Sequence, residues 1–212
     1  MIETYDWAGG REAMLRFGPP EGPVVVAALP LLEEANRTRT FVVTILRALA
    51  ERGIAGALPD LPGQGDSVVP THQIAIANLR SAFADTARAT GRRAYSIAIR
   101  SGALLDSKAI LAGRWHFSPQ TGPELLRELS RVRQAGGGDD FAGNSLSSAF
   151  LTELGNAGLE AARTIRLDSD PKNADARFAG APLWRRAEPD NDPALAALFA
   201  DDIAAWVHAC EA

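Results

Sequence analysis

Val24-Val25-Val26-Ala27-Ala28-Leu29 is a continuous apolar run, and Pro30 ends it. Its length and its β-branched valines suit a strand buried on both faces, as in a parallel sheet. Similar short runs recur outward from it. Ala55 to Leu58, Ala94 to Ile99, Arg114 to Phe117 and Thr164 to Leu167 read as further strands, and Ala176 to Leu183 as a weak last one. Helical patterns separate them. Strand and helix in alternation predict βαβ crossovers, hence an α/β fold with a doubly wound, mostly parallel sheet and helices on both faces. The first twenty residues, with Trp7, Met14, Leu15 and Phe17, suit one antiparallel edge hairpin.

The helices follow from apolar spacing. Leu31 to Thr40 is polar and reads as a loop; Phe41, Val42, Ile45, Leu46 and Leu49 then mark a helix that Gly53 stops. Thr71 reads as the cap of a helix carrying Ile74, Ala77, Leu79, Ala82 and Phe83, closed by Gly91. A short helix is expected from Ser101 to about Ala109. Another presents Leu125, Leu126, Leu129 and Val132, and Leu146 to Leu154 also reads as helical. Gly136-Gly137-Gly138-Asp139-Asp140 reads as a loop, with a lid hinge as the alternative. In the closing helix Asp192 is the cap and Pro193 the first residue; Leu195, Leu198, Phe199, Ile203, Trp206 and Val207 form its buried stripe. With no internal repeat and no linker, residues 1–212 are expected to form a single domain.

Apolar residues make up 46% of the 212 and charged ones 23%, which argues against a disordered chain. The net charge of -4 disfavours nucleic acid and anionic membranes as partners. No apolar run reaches the roughly 18 residues that span a bilayer. Met1 to Asp6 lacks a basic start and an apolar core, so the expected compartment is the cytoplasm. Cys210 is the single cysteine and leaves no intrachain disulfide.

In an open parallel sheet, sites form beyond the carboxyl ends of the strands. Four segments qualify: Pro30 to Thr40, Asp60 to Ser67, Arg100 to Gly102 and Asp168 to Asp170. A nucleophile elbow turns so tightly from strand into helix that the residues two before and two after its tip must be small. With Ser101 at the tip those residues are Ile99 and Ala103, and Ile99 clashes. With Arg100 at the tip they are Ala98 and Gly102, and both fit. Arginine stays protonated and is no acyl nucleophile. The catalytic candidates are therefore Ser101, one step past the tip, and Asp168 at a strand end. The histidines at 72, 116 and 208 lie at a helix start, within a strand and in the last helix; His116 reads as partly buried. None follows the last strand, where Trp184 and two arginines stand instead. No spacing suits a metal, and Gly63-Gln64-Gly65 lacks the rest of a dinucleotide fingerprint, so no cofactor is expected.

Asp60-Leu61-Pro62-Gly63-Gln64-Gly65-Asp66-Ser67 matches the D-x-x-G-x-G-x-S turn of the α/β-hydrolase superfamily, which the chain resembles. More specifically it resembles the exosortase A system-associated hydrolases of type 2. Pro30 to Arg39 is similar to that group's P-F-A-E-E-M-N-K-S-R loop, and Ile99 to Leu105 to its L-R-L-G-A-L-L elbow, which also carries Arg at the tip. Trp115 to Pro119 is similar to its L-W-Q-P strand, and Ala181 to Glu188 to its P-F-W…E segment. The resemblance runs from Val24 to the end, with the middle shortened and no room for a large cap. It implies an association with exopolysaccharide production and protein sorting.

A cation at a helix N-terminus faces the positive end of the macrodipole and needs an anionic partner. Glu33 and Glu34 are the nearest candidates for Arg100, and Asp168 is next. Alternatively Arg100 and Arg39, with Asn36 beside them, bind the carboxylate or phosphate of a ligand. Three functions follow: a degenerate hydrolase that binds a small anionic ligand or a protein partner; an esterase or thioesterase using Ser101; and a structural partner in an exopolysaccharide assembly complex.

Overall fold

The computed structural model describes residues 1–136, 140–141 and 143–212. Eight strands form one sheet in the order β1-β2-β4-β3-β5-β6-β7-β8. β1 (Ile2–Trp7) and β2 (Gly10–Phe17) make the antiparallel edge hairpin, and β2 pairs antiparallel with β4 (Ala55–Pro59). From there β3 (Val24–Ala28), β5 (Ala94–Ile99), β6 (Gly113–Phe117), β7 (Arg163–Leu167) and β8 (Ala176–Phe178) all run parallel to β4.

Alternation along β3 divides the core in two. Val24, Val26 and Ala28 pack against α2 (Ile76–Ala89), α3 (Gly122–Gly136) and α4 (Ser148–Gly155). Val25 and Ala27 face α1 (Glu33–Glu51) and α5 (Pro193–Glu211). On that second face Phe199 is ringed by Phe41, Trp115, Phe117 and Phe178, with centroids 4.6–5.7 Å away in edge-to-face arrangements. Asp192 caps α5 by accepting the Leu195 N–H at 3.0 Å, with Pro193 as first residue. No helix of the described residues is long and apolar enough to cross a membrane.

Several elements depart from the expected ones. α1 begins at Glu33, so the polar stretch before Phe41 is helix and not loop. Ala35 and Thr38 carry its buried stripe back to the first turn, but neither is apolar enough to announce it. Thr71 heads a single 3-10 turn without capping it, and α2 starts at Ile76. β8 stops at Phe178, and Leu183 belongs to a separate 3-10 turn, Leu183–Arg185. Leu198 and Val132 are exposed despite their places on apolar stripes. Of the glycine run, Gly137, Gly138 and Asp139 lie outside the described residues.

The largest departure follows β5. The expected helix from Ser101 to Ala109 is replaced by two 3-10 turns, Arg100–Leu104 and Asp106–Lys108. Carbonyls that an α-helix would use are taken by arginines. Arg80 Nε donates to Leu104 O at 2.7 Å, and Arg114 Nη2 reaches Asp106 O at 3.2 Å and Ala109 O at 3.3 Å. The Asp106 side chain turns fully inward. Its Oδ2 accepts from the Ser96 hydroxyl at 2.6 Å and meets His116 Nε2 at 2.9 Å, while Arg114 Nε lies 3.5 Å from Oδ1. A carboxylate only accepts, so His116 carries a proton on Nε2. His116 is 1% exposed, not partly buried.

Candidate functional site

The turn after β5 sits at the carboxyl end of the sheet. Arg100 occupies its tip at φ 54, a left-handed conformation that side chains rarely adopt. Two residues on, a Cβ at Gly102 would stand 2.4 Å from Ala28 O and 2.6 Å from Leu29 O. Two residues before, Ala98 is buried. The chain therefore turns with Arg100 at its apex, and the Ala28 and Leu29 carbonyls leave no room for a side chain at Gly102.

Ser101 points down into the protein. It is fully buried, and its Oγ accepts the Leu31 N–H at 2.9 Å. The neighbouring Leu32 N–H is taken by Gln64 Oε1 at 2.8 Å. In a hydrolytic elbow the N–H groups of this loop would face an oxyanion; here both are used within the protein.

The Arg100 guanidinium lies between two carboxylates. Nε is 3.3 Å from Glu34 Oε2 and Nη2 is 3.4 Å from Glu34 Oε1; Nη2 also reaches Glu128 at 3.1 and 3.2 Å. The Trp184 ring covers it from 5.1 Å. These bonds are longer than the ~2.7–2.9 Å of a tight charge-assisted pair. Glu128, on α3, is a partner the sequence did not offer. Arg100 heads a five-residue 3-10 turn, so the helix dipole invoked from the sequence does not act on it.

The other expected residues lie elsewhere. Glu33 pairs with Arg37 at 2.7 Å. Arg39 pairs with Asp60 at 2.9 Å, beside Asn36, in a small crevice apart from Arg100. Asp168 is exposed, and its N–H bonds Phe178 O at 3.0 Å. His72 and His208 are exposed, and His116 is committed to Asp106.

Burial pushes the Glu34 carboxyl above its ordinary value, against the opposing pull of Arg100. A carboxyl raised on folding holds its proton more tightly in the folded chain. Its contribution to stability is full below the ordinary glutamate value and is lost as pH rises through the raised one. Wild type is therefore expected to lose stability relative to Glu34→Gln between about pH 4 and about pH 7. Urea midpoints of both proteins at the two pH values check this; a pH-independent difference would contradict it.

Two cavities meet at Glu128. One, about 320 Å³, is walled by Leu31, Leu32, Leu125, Leu129, Val132 and Phe141, with Glu34 at its edge. The other, about 310 Å³, opens beyond β5, β6 and β7 between Arg100, Trp184 and α3. Its lining carries six cations, Arg100, Arg127, Arg131, Arg166, Lys172 and Arg185, against three carboxylates, Glu124, Glu128 and Asp170. The protein as a whole is negative, so this cleft is a local inversion of charge. Arg166 is paired with Asp170 at 2.5 Å and Lys172 with Glu124 at 2.5 Å. Burial raises Asp170, but the Lys172 N–H and Arg166 outweigh it and hold its carboxyl below the usual range.

No family model and no curated protein matches the chain. Solved structures do. A ferulic-acid complex of Est1E from Butyrivibrio proteoclasticus superposes with a TM-score of 0.63 at 12% identity, covering 97% of each chain. A malate-bound thermophilic esterase from Thermogutta terrifontis gives 0.57 at 14%, over 100% of both chains. The bottromycin epimerase BotH, in complex with bottromycin A2, gives 0.60 at 14%, over 97% of this chain and 98% of that one. With the strand order above, these likenesses establish the α/β-hydrolase fold.

Proposed function

We propose that the protein is a non-hydrolytic member of the α/β-hydrolase fold that binds a small anion in the basic cleft beside Arg100. The observation that carries the reading is Arg100 itself, at the apex of the elbow with φ 54 and held between Glu34 and Glu128. A guanidinium there cannot attack an acyl group. Support comes from the commitment of the Leu31 and Leu32 N–H groups and of His116 to partners within the protein. Among the solved structures, one with the same architecture is an epimerase, as expected where chemistry resides in the site and not in the fold. The resemblance to the exosortase A system-associated group extends the proposal to a role alongside exopolysaccharide production, as a pseudoenzyme with a ligand or protein partner.

The alternative, an esterase using Ser101, makes an opposite prediction for a fluorophosphonate probe. Intact-mass measurement is expected to find no adduct on wild type, Ser101→Ala or Arg100→Ala, while phosphate or citrate raises the melting temperature. An adduct on wild type that disappears only in Ser101→Ala overturns the proposal.

A further inference from the structure

Two polar atoms at the floor of the basic cleft have no partner. Ser118 and Gln120 are each 2% exposed and both line the cleft, yet Ser118 Oγ and Gln120 Oε1 make no hydrogen bond. The amide cannot be turned round to remedy this. Gln120 Nε2 donates to Glu128 Oε2 at 2.7 Å, and a carboxylate only accepts. Oε1 is therefore a fixed, unused acceptor, and Ser118 Oγ is an unused hydroxyl. Buried polar groups are almost always paired, so each exception calls for an explanation.

The backbone holds both in place. Ser118 leaves β6 at φ 45, a strained conformation that persists only where the surroundings impose it. Its N–H is held by Ile165 O at 2.8 Å, and the Gln120 N–H by Arg100 O at 3.2 Å. The two side chains are thus tied to β7 on one side and to the elbow tip on the other.

The rim supplies charge. Arg100, Arg166 and Lys172 already have carboxylate partners. Arg127, Arg131 and Arg185 also line the cleft, are exposed, and have no ion-pair partner among the described residues. Arg127 and Arg131 stand four apart on α3, where like charges repel. An anion seated between them would relieve that repulsion.

A bare anion would answer the arginines and leave Gln120 Oε1 without a donor. A neutral polyol would do the reverse. We propose that the cleft binds a hydroxyl-bearing anion, of the sugar-phosphate or sugar-acid class. Arg127, Arg131 and Arg185 take the charged group; Gln120 Oε1 accepts from one ligand hydroxyl and Ser118 Oγ pairs with another. A cleft of about 310 Å³ suits a ligand of monosaccharide size. The inference rests on the anion-binding reading above and sharpens it.

Calorimetric titration of the full chain tests it with glucose 6-phosphate and glucuronate against inorganic phosphate, acetate and glucose. At least one hydroxylated anion is expected to bind about tenfold or more tightly than its bare counterpart, with glucose silent. The phosphate and carboxylate arms show which charged group the arginines prefer. Ser118→Ala, which removes an unpaired hydroxyl, should leave the melting temperature unchanged and erase most of that advantage. Arg127→Ala and Arg131→Ala should weaken hydroxylated and bare anions alike. Equal affinity for bare and hydroxylated anions in wild type overturns the hydroxyl reading and leaves anion binding standing. Binding of no anion overturns both.

Discussion

Asp106→Ala is expected to lower the unfolding free energy by about 3–5 kcal/mol, the usual cost of removing one partner from a buried charged network. The carboxylate is fully buried and is the common partner of Ser96, His116 and Arg114. Its loss strands a hydroxyl and an imidazole N–H that water does not reach, and leaves Arg114 without its carboxylate. At roughly 2–4 °C per kcal/mol for a chain of this size, the melting temperature should fall by about 6–20 °C. Ser96→Ala removes only one of the three partners and should cost far less. Urea unfolding of the two variants decides the matter: a loss below about 1 kcal/mol for Asp106→Ala would mean that the network contributes little beyond satisfying itself.

Gly102→Ala is the second large effect. The added methyl would meet Ala28 O at 2.4 Å and Leu29 O at 2.6 Å. Both obstacles are backbone at the end of a central strand and cannot rotate aside like a side chain. A loss of about 3 kcal/mol is expected, at the upper end of overpacking costs. Gly136→Ala is the control, because a Cβ there meets open space. If both variants melt within a degree or two of wild type, the elbow is far looser than its geometry implies.

The sheet was legible because its signals are local. An apolar run opened by three valines and ended by a proline reads as a buried strand without any tertiary knowledge, and Asp192-Pro193 announced the start of α5 in the same way. The tip position was argued from residue size alone, a β-branched Ile99 against small Ala98 and Gly102, whereas the Ala28 and Leu29 carbonyls that exclude a side chain at Gly102 come from another strand and could not be read. The start of α1 was not legible, since Ala35 and Thr38 continue a buried stripe without the apolarity that marks one. Nor was the pair of 3-10 turns after Ser101, which depends on Arg80 and Arg114 reaching carbonyls from other elements. Glu128, Ser118 and Gln120 escaped for the same reason. Each matters through contacts between segments far apart in the chain, and nothing in its own neighbourhood distinguishes it.

The hydrogen bonds of Leu31 and Leu32 bear on how the protein could change as well as on its chemistry. Replacing the arginine at the tip with serine would install an alcohol where His116 is already bonded to Asp106 and the loop's donors already answer to Ser101 and Gln64. Selection for hydrolysis would gain nothing from that one step. Several changes would have to arrive together, each worthless without the rest. On the binding reading, the elbow works as a ratchet: the chain is free to refine what its cleft holds, and has no gradual way to hydrolysis.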